Sequence, residues 1–134
     1  MNKAMLHHVS LVTAKLDRSI AFYRDVLGFR QIKRPAFSTK GAWLALGSTE
    51  IHLIDNPLGT FRKSPSIDTG DTHFALRVDD FEAAISALAA KGYSETVADD
   101  GARKIVMRRT GPAGYPQAYV RDPDFNIIEI NAAG

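Results

Sequence analysis

Four residues spread along the chain could share one chemistry: His8, His52, His73 and Glu129. The protein has four histidines and no cysteine, and three of the four histidines belong to this set. Imidazole nitrogens and a carboxylate, with no sulfur among them, suit a divalent ion such as Zn²⁺, Ni²⁺, Co²⁺, Fe²⁺ or Mn²⁺. A single histidine in a strand is more often a hydrogen-bonded structural residue than a ligand. What raises these four above that is their placement, which depends on the elements that carry them.

Those elements occur twice. The segment "HVSLVTAKLDRSIAFY", starting at His8, aligns with "HFALRVDDFEAAISAL", starting at His73, at a constant offset of 65 residues. Each copy opens with histidine and alternates, with Val9, Leu11 and Thr13 matching Phe74, Leu76 and Val78 on one strand face. His8, Ser10 and Val12 match His73, Ala75 and Arg77 on the other. The period then changes to that of a helix, with Leu16, Ile20, Tyr23 and Leu27 in the first copy and Phe81, Ile85 and Leu88 in the second. Asp17 and Asp80 stand near the helix starts, and Gly28 and Gly92 stand where a left-handed residue ends a helix.

Further strands are expected at "FRQIKR", "AWLAL" and "EIHLI" in the first copy, and at "YSETV", "QAYVR" and "NIIEI" in the second. "DPD" joins the last two as a turn, which accounts for Asp122 and Asp124 without a metal. Each copy therefore reads βαβββ: module one over residues 5–54, a linker over 55–71 rich in proline, glycine and serine, and module two over 72–131. The stretch 98–116 reads as an insertion, a flap or an edge hairpin. His52 lies in the closing strand of module one, and Glu129 takes the matching place in module two. Each module thus offers one nitrogen from its first strand and one further ligand from its last. By strand parity His8 shares a face with Ser10, and the adjacent His7 shares one with Val9 and Leu11. That assigns His8 to the site and His7 to a packing or edge position. Ser10, two residues from His8 on the same face, is a candidate substrate contact.

Bulk properties narrow the partners. The chain has 134 residues, 17 basic and 15 acidic, and a net charge of +2. No basic stripe is present for nucleic acid, and no segment is apolar enough for a signal peptide or a membrane span. The expectation is a cytoplasmic protein that meets a small molecule.

The motifs "LHHVSLVT", "SIAFYRDVLGF", "GAWLALGSTEIHLI", "THFALRVDD" and "YVRDPDFNIIEI" together resemble the vicinal oxygen chelate superfamily, over residues 5–131. That superfamily includes glyoxalase I, extradiol ring-cleaving dioxygenases, fosfomycin-resistance thiol transferases and bleomycin-binding proteins. The resemblance implies an α+β fold of two tandem βαβββ modules forming a curved, barrel-like sheet cleft around a divalent metal. It also implies homodimers whose sites are shared between subunits. His8, His73 and Glu129 match the metal triad of the dioxygenases and thiol transferases. His52 stands where glyoxalase I has an additional ligand, there a carboxylate. The first expectation is a glyoxalase I type of isomerase or lyase working through an enediolate-like intermediate, with Glu129 as ligand and base. An Fe²⁺ ring-cleaving dioxygenase and a fosfomycin-type thiol transferase are the alternatives, the latter with Ser10, Trp43 and Tyr119 lining the substrate side. A drug-sequestering binding protein is the non-enzymatic alternative, and would lack the ligand set. The loops at 35–41, 55–71 and 98–116 would set specificity and carry no readable code.

Overall fold

In the computed structural model, which describes residues 2–134, the chain divides into a first unit ending at Phe61 and a second beginning at Arg62. The first contains β1 (His8–Thr13), α1 (Leu16–Ala21), β2 (Arg30–Ile32), β3 (Gly41–Leu46) and β4 (Thr49–Asp55). The second contains β5 (His73–Val78), α2 (Phe81–Ala89), β6 (Val106–Arg108), β7 (Gln117–Arg121) and β8 (Ile127–Ala132).

Both sheets have four strands and the same order, β1-β4-β3-β2 and β5-β8-β7-β6, and neither closes on itself. In each, the first strand pairs parallel with the last, and the others pair antiparallel. The helix after the first strand supplies the crossover that a parallel pair requires. The two tandem βαβββ modules expected from the repeat are therefore present.

Alternation divides each sheet into two faces. Ala42, Leu44, Ile51 and Leu53 are buried with Tyr23 and Phe29 in the first unit. Leu76, Ala118, Val120, Ile128 and Ile130 are buried with Phe81 and Leu88 in the second. Burying such a side chain contributes about 1.5–3 kcal/mol, so this face holds each unit together. The residues between them in sequence (Trp43, Glu50 and His52, or Tyr119, Glu129 and Asn131) stand on the other face, free of the helix.

Four local readings differ from the sequence pattern. The first helix is α-helical only to Ala21 and widens into a π-helical turn over Phe22–Val26, where Leu27 N–H reaches Phe22 C=O at 3.3 Å. The glycines still end both helices, with φ of +79° at Gly28 and +91° at Gly92. Asp80 caps α2, its Oδ1 accepting from Ala83 N–H at 3.0 Å, but Asp17 lies inside α1, where Lys15 takes the cap position with no side-chain bond. "YSETV" is not a strand: only an isolated bridge joins Ser94 to Lys104. The third partner of the second sheet is instead β6, from within the 98–116 stretch, an edge strand pairing with β7. Finally, β1 starts at His8, so His7 precedes the strand and the parity rule does not govern it.

The "DPDF" turn is held by Asp122, whose Oδ1 accepts from the N–H groups of Asp124 and Asn126, both at 2.9 Å. Phe125 sits there at φ +69°, a left-handed conformation rare for a bulky residue. Asp122 and Asp124 are turn residues, as their sequence implies.

Candidate functional site

In the second unit, β5 places His73 and β8 places Glu129 on the helix-free face. The His73 Nε2 lies 3.2 Å from Glu129 Oε2, and its Nδ1–H donates to the Asp71 carbonyl at 2.7 Å. The backbone bond fixes which nitrogen keeps its proton and turns Nε2 toward the carboxylate. A lone pair and a carboxylate do not attract each other. At 3.2 Å a shared proton joins the two groups as a hydrogen bond. A neutral imidazole with Nε2 free and an ionised carboxylate are the donor types a divalent ion takes, so this pair fits one.

Glu129 is buried and heavily supported. Gln117 Nε2 donates to its Oε1 at 2.9 Å and Asn131 Nδ2 to the same oxygen at 3.1 Å. Burial by itself pushes its carboxyl up, but the bonds from Gln117, Asn131 and His73 outweigh that and hold it below the ordinary value. Tyr119 faces Glu129 across the β7–β8 ladder and meets the His73 ring edge-on, with centroids 5.7 Å apart. Burial, then the Glu129 charge, pushes the Tyr119 hydroxyl up, so it stays a neutral donor.

The first unit carries the matching rungs. Trp43 faces His52 across the β3–β4 ladder, as Tyr119 faces Glu129. The rings of Trp43 and His52 stack with centroids 4.1 Å apart, and His8 stacks on the other side of His52 at 3.9 Å. His52 is buried, and its Nε2–H donates to Glu50 Oε1 at 2.9 Å. That bond holds the Glu50 carboxyl below its usual range. Desolvation first, then the neighbouring imidazoles His52 and His7, push His8 below the ordinary histidine value, which favours the neutral ring. His7 is drawn into the same group: one of the two Nδ1 atoms of His7 and His8 donates to the other at 2.8 Å, and His7 Nε2 lies 3.8 Å from Glu50. Sequence parity had separated these two histidines. The chain has not entered the strand at His7, so its ring can turn to the side His8 occupies. Ser10 is exposed, in register with His52.

The expected ligands therefore fall into two groups, His8 with His52 in the first unit and His73 with Glu129 in the second. Among the described residues no three histidine, aspartate or glutamate side chains are gathered so as to hold an ion. A recess of about 420 Å³ in the second unit, at the start of α2, is lined by Asp79, Glu82 and Arg109 among others and by neither His73 nor Glu129. Its arginine is already paired, Arg109 Nε donating to Glu82 Oε1 at 3.0 Å. Sequence reading missed Gln117, Asn131 and Glu50. All three were accessible by extending the same alternation two residues from Tyr119, Glu129 and His52.

The chain belongs to the Glyoxalase/Bleomycin resistance protein/Dioxygenase superfamily, whose family model matches residues 5–130. It is 33% identical over 133 residues to a lactoylglutathione lyase of Haemophilus influenzae, covering 92% of this chain and 88% of that protein. It is 30% identical over 129 residues to a protein called Glyoxylase I 4 in Arabidopsis thaliana, covering 93% of this chain and 68% of the relative. It spans only 46% and 45% of the length of two further plant relatives. Among solved structures, a lactoylglutathione lyase from Agrobacterium tumefaciens shares the fold, with a TM-score of 0.68 at 20% identity over 98% of this chain and 96% of that one. No helix of the described residues is long and apolar enough to cross a membrane.

Proposed function

We propose that the protein is a divalent-metal-dependent enzyme of glyoxalase I type, an isomerase or lyase acting on a small carbonyl compound. The observation that supports this is the His73–Glu129 pair: an imidazole with its proton fixed on the far nitrogen, facing a carboxylate anchored by two amides. The names of the Haemophilus and Arabidopsis relatives point the same way.

His8, His73 and Glu129, with His52 as a further donor, would hold one ion of Ni, Zn, Co, Fe or Mn, in a homodimer that shares its sites between subunits in the cytoplasm. The ion when bound supplies a Lewis acid that draws negative charge onto a substrate oxygen. Glu129 takes the proton from the carbon beside the carbonyl and returns it to the adjacent former carbonyl carbon, so the isomerisation is proton-neutral. Gln117 and Asn131 fix Oε1, so Oε2 is the atom that accepts it once the His73 contact is released. The hydrogen bonds that lower its basicity also keep it ionised and aimed before substrate arrives. Tyr119, Trp43 and Ser10 would line the substrate side, Tyr119 as a neutral hydrogen-bond donor and Trp43 as an apolar wall.

His8 and His52 must rearrange to serve together. Their planes are 15° from parallel and their ring centroids 3.9 Å apart, an arrangement that keeps their nitrogens from converging on one point. One ring would therefore have to leave the stack for both residues to serve as donors.

The test is anaerobic purification with metal analysis, followed by assay on the glutathione adduct of a 2-oxoaldehyde. Stoichiometric Ni²⁺, Co²⁺ or Zn²⁺ with chelator-sensitive isomerisation is expected. Stoichiometric Fe²⁺ with ring cleavage, or a metal-free protein indifferent to chelator, overturns the reading in favour of a dioxygenase or a sequestering protein.

A further inference from the structure

The face that carries Glu129 also carries an oriented arginine that pairs with no carboxylate among the described residues. Arg77 is the exposed same-face residue of β5 one step beyond Ala75, which stands in register with Glu129. Its own rung continues through Asn131 of β8 and Gln117 of β7 to Arg108 of β6. Arg77 Nε donates to Asn131 Oδ1 at 2.8 Å, and its guanidinium carbon lies 4.7 Å over the Tyr115 ring. Among the described residues its two Nη groups make no hydrogen bond, and no carboxylate pairs with it.

Most surface arginines are solvated and mobile, and the ring and the amide make this one different. Tyr115 fixes the plane of the guanidinium and Asn131 fixes its edge, so the fork loses little freedom when it takes a ligand. Asn131 is shared, donating to Glu129 Oε1 while accepting from Arg77. The guanidinium and the carboxylate are thus indexed to each other through one side chain. Same-face neighbours on a strand stand about 7 Å apart, within the span of one small molecule. Arg108 is differently occupied, its Nη2 donating to Thr69 at 2.9 Å.

We propose that Arg77 grips a carboxylate of the substrate while Glu129 faces the reacting carbon, so that the substrate is a carbonyl compound bearing a carboxylate. This rests on the glyoxalase-type reading of Glu129. A planar fork with two free N–H edges matches the two oxygens of a carboxylate. Phosphate offers the same oxyanion chemistry from another source, and its competition distinguishes the two.

The full chain, with and without chelator, is titrated with lactate, methyl lactate and inorganic phosphate while the arginine Nε–H and backbone amide resonances are followed. Lactate is expected to give a saturable shift at Arg77, Gln117 and Asn131, and methyl lactate none. Its affinity is expected to fall about tenfold or more in Arg77→Ala, the scale of a hydrogen bond to a charged group, to recover in part in Arg77→Lys, and to hold in Arg108→Ala. No saturable shift at Arg77, an equal response to the ester, an equal loss in Arg108→Ala, or tighter binding of phosphate each overturns the assignment. The lactate response is read without metal, so failure of metal binding sinks the glyoxalase-type reading alone, while failure of the lactate response in a metal-loaded, active protein sinks only this one.

Discussion

His8 and His52 lie face to face, ring centroids 3.9 Å apart, with Trp43 against the far side of His52 at 4.1 Å. Stacked rings offer their nitrogens edgewise in separate planes, so this column holds the two imidazoles side by side without converging their nitrogens. Converging them breaks at least one stacking contact.

That arrangement separates the two adjacent histidines by experiment. His8→Ala and Glu129→Ala are each expected to empty the metal site and leave the fold intact, as read by elemental analysis and circular dichroism. His7→Ala is expected to keep its metal, because His7 touches the group from outside the strand. Full metal content in His8→Ala refutes the ligand set.

Gln117 acts on Glu129 without occupying the site. Gln117→Leu removes one of the two amide donors on Oε1, and a lost supporting hydrogen bond of this kind weakens metal binding by about 10–100-fold. Calorimetric titration with Zn²⁺ measures it. An unchanged affinity means Asn131 alone suffices to aim the carboxylate.

Asp80 is the one side-chain cap on the two α-helices. Asp80→Ala is expected to cost about 0.5–2 kcal/mol, seen as a lower urea midpoint at unchanged slope. The equivalent change at Asp17, which caps nothing, should cost less.

Burial pushes the Tyr93 hydroxyl above its ordinary value of 10.0, against smaller opposing effects from Arg103 and Arg121. The folded protein therefore holds this proton more tightly than the unfolded chain. Its contribution is complete below pH 10.0 and is lost as pH rises through the higher folded value. Stability should fall on that alkaline limb, and Tyr93→Phe should flatten part of the fall, as followed by denaturant midpoints across the range. An identical alkaline limb in the variant assigns it to other groups.

Much of this was legible in the chain because alternation and repetition reinforce each other. Strand parity put His8, His73 and Glu129 on the helix-free faces, and the repeat matched the rung of His52 to that of Glu129. The failures have local causes. "YSETV" alternates like a strand, but Ser94 Oγ lies 2.9 Å from Thr96 Oγ1 and accepts from Thr96 N–H at 3.1 Å. The side chains satisfy the backbone themselves and compete with the ladder. His7 escaped because a strand's first residue is set by the hydrogen bonds of its partner, here β4, and not by its own pattern. The His8–His52 stack could not be foreseen, since ring orientation depends on side-chain torsions that no spacing encodes.

The shared ladder has a consequence for how the protein can be studied. Trp43 and Tyr119, or His52 and Glu129, are the same place built twice with different chemistry. Each molecule therefore carries its own reference. A substitution in one half can be repeated at the twin rung, and the difference between the two outcomes separates the demands of the scaffold from those of the reaction.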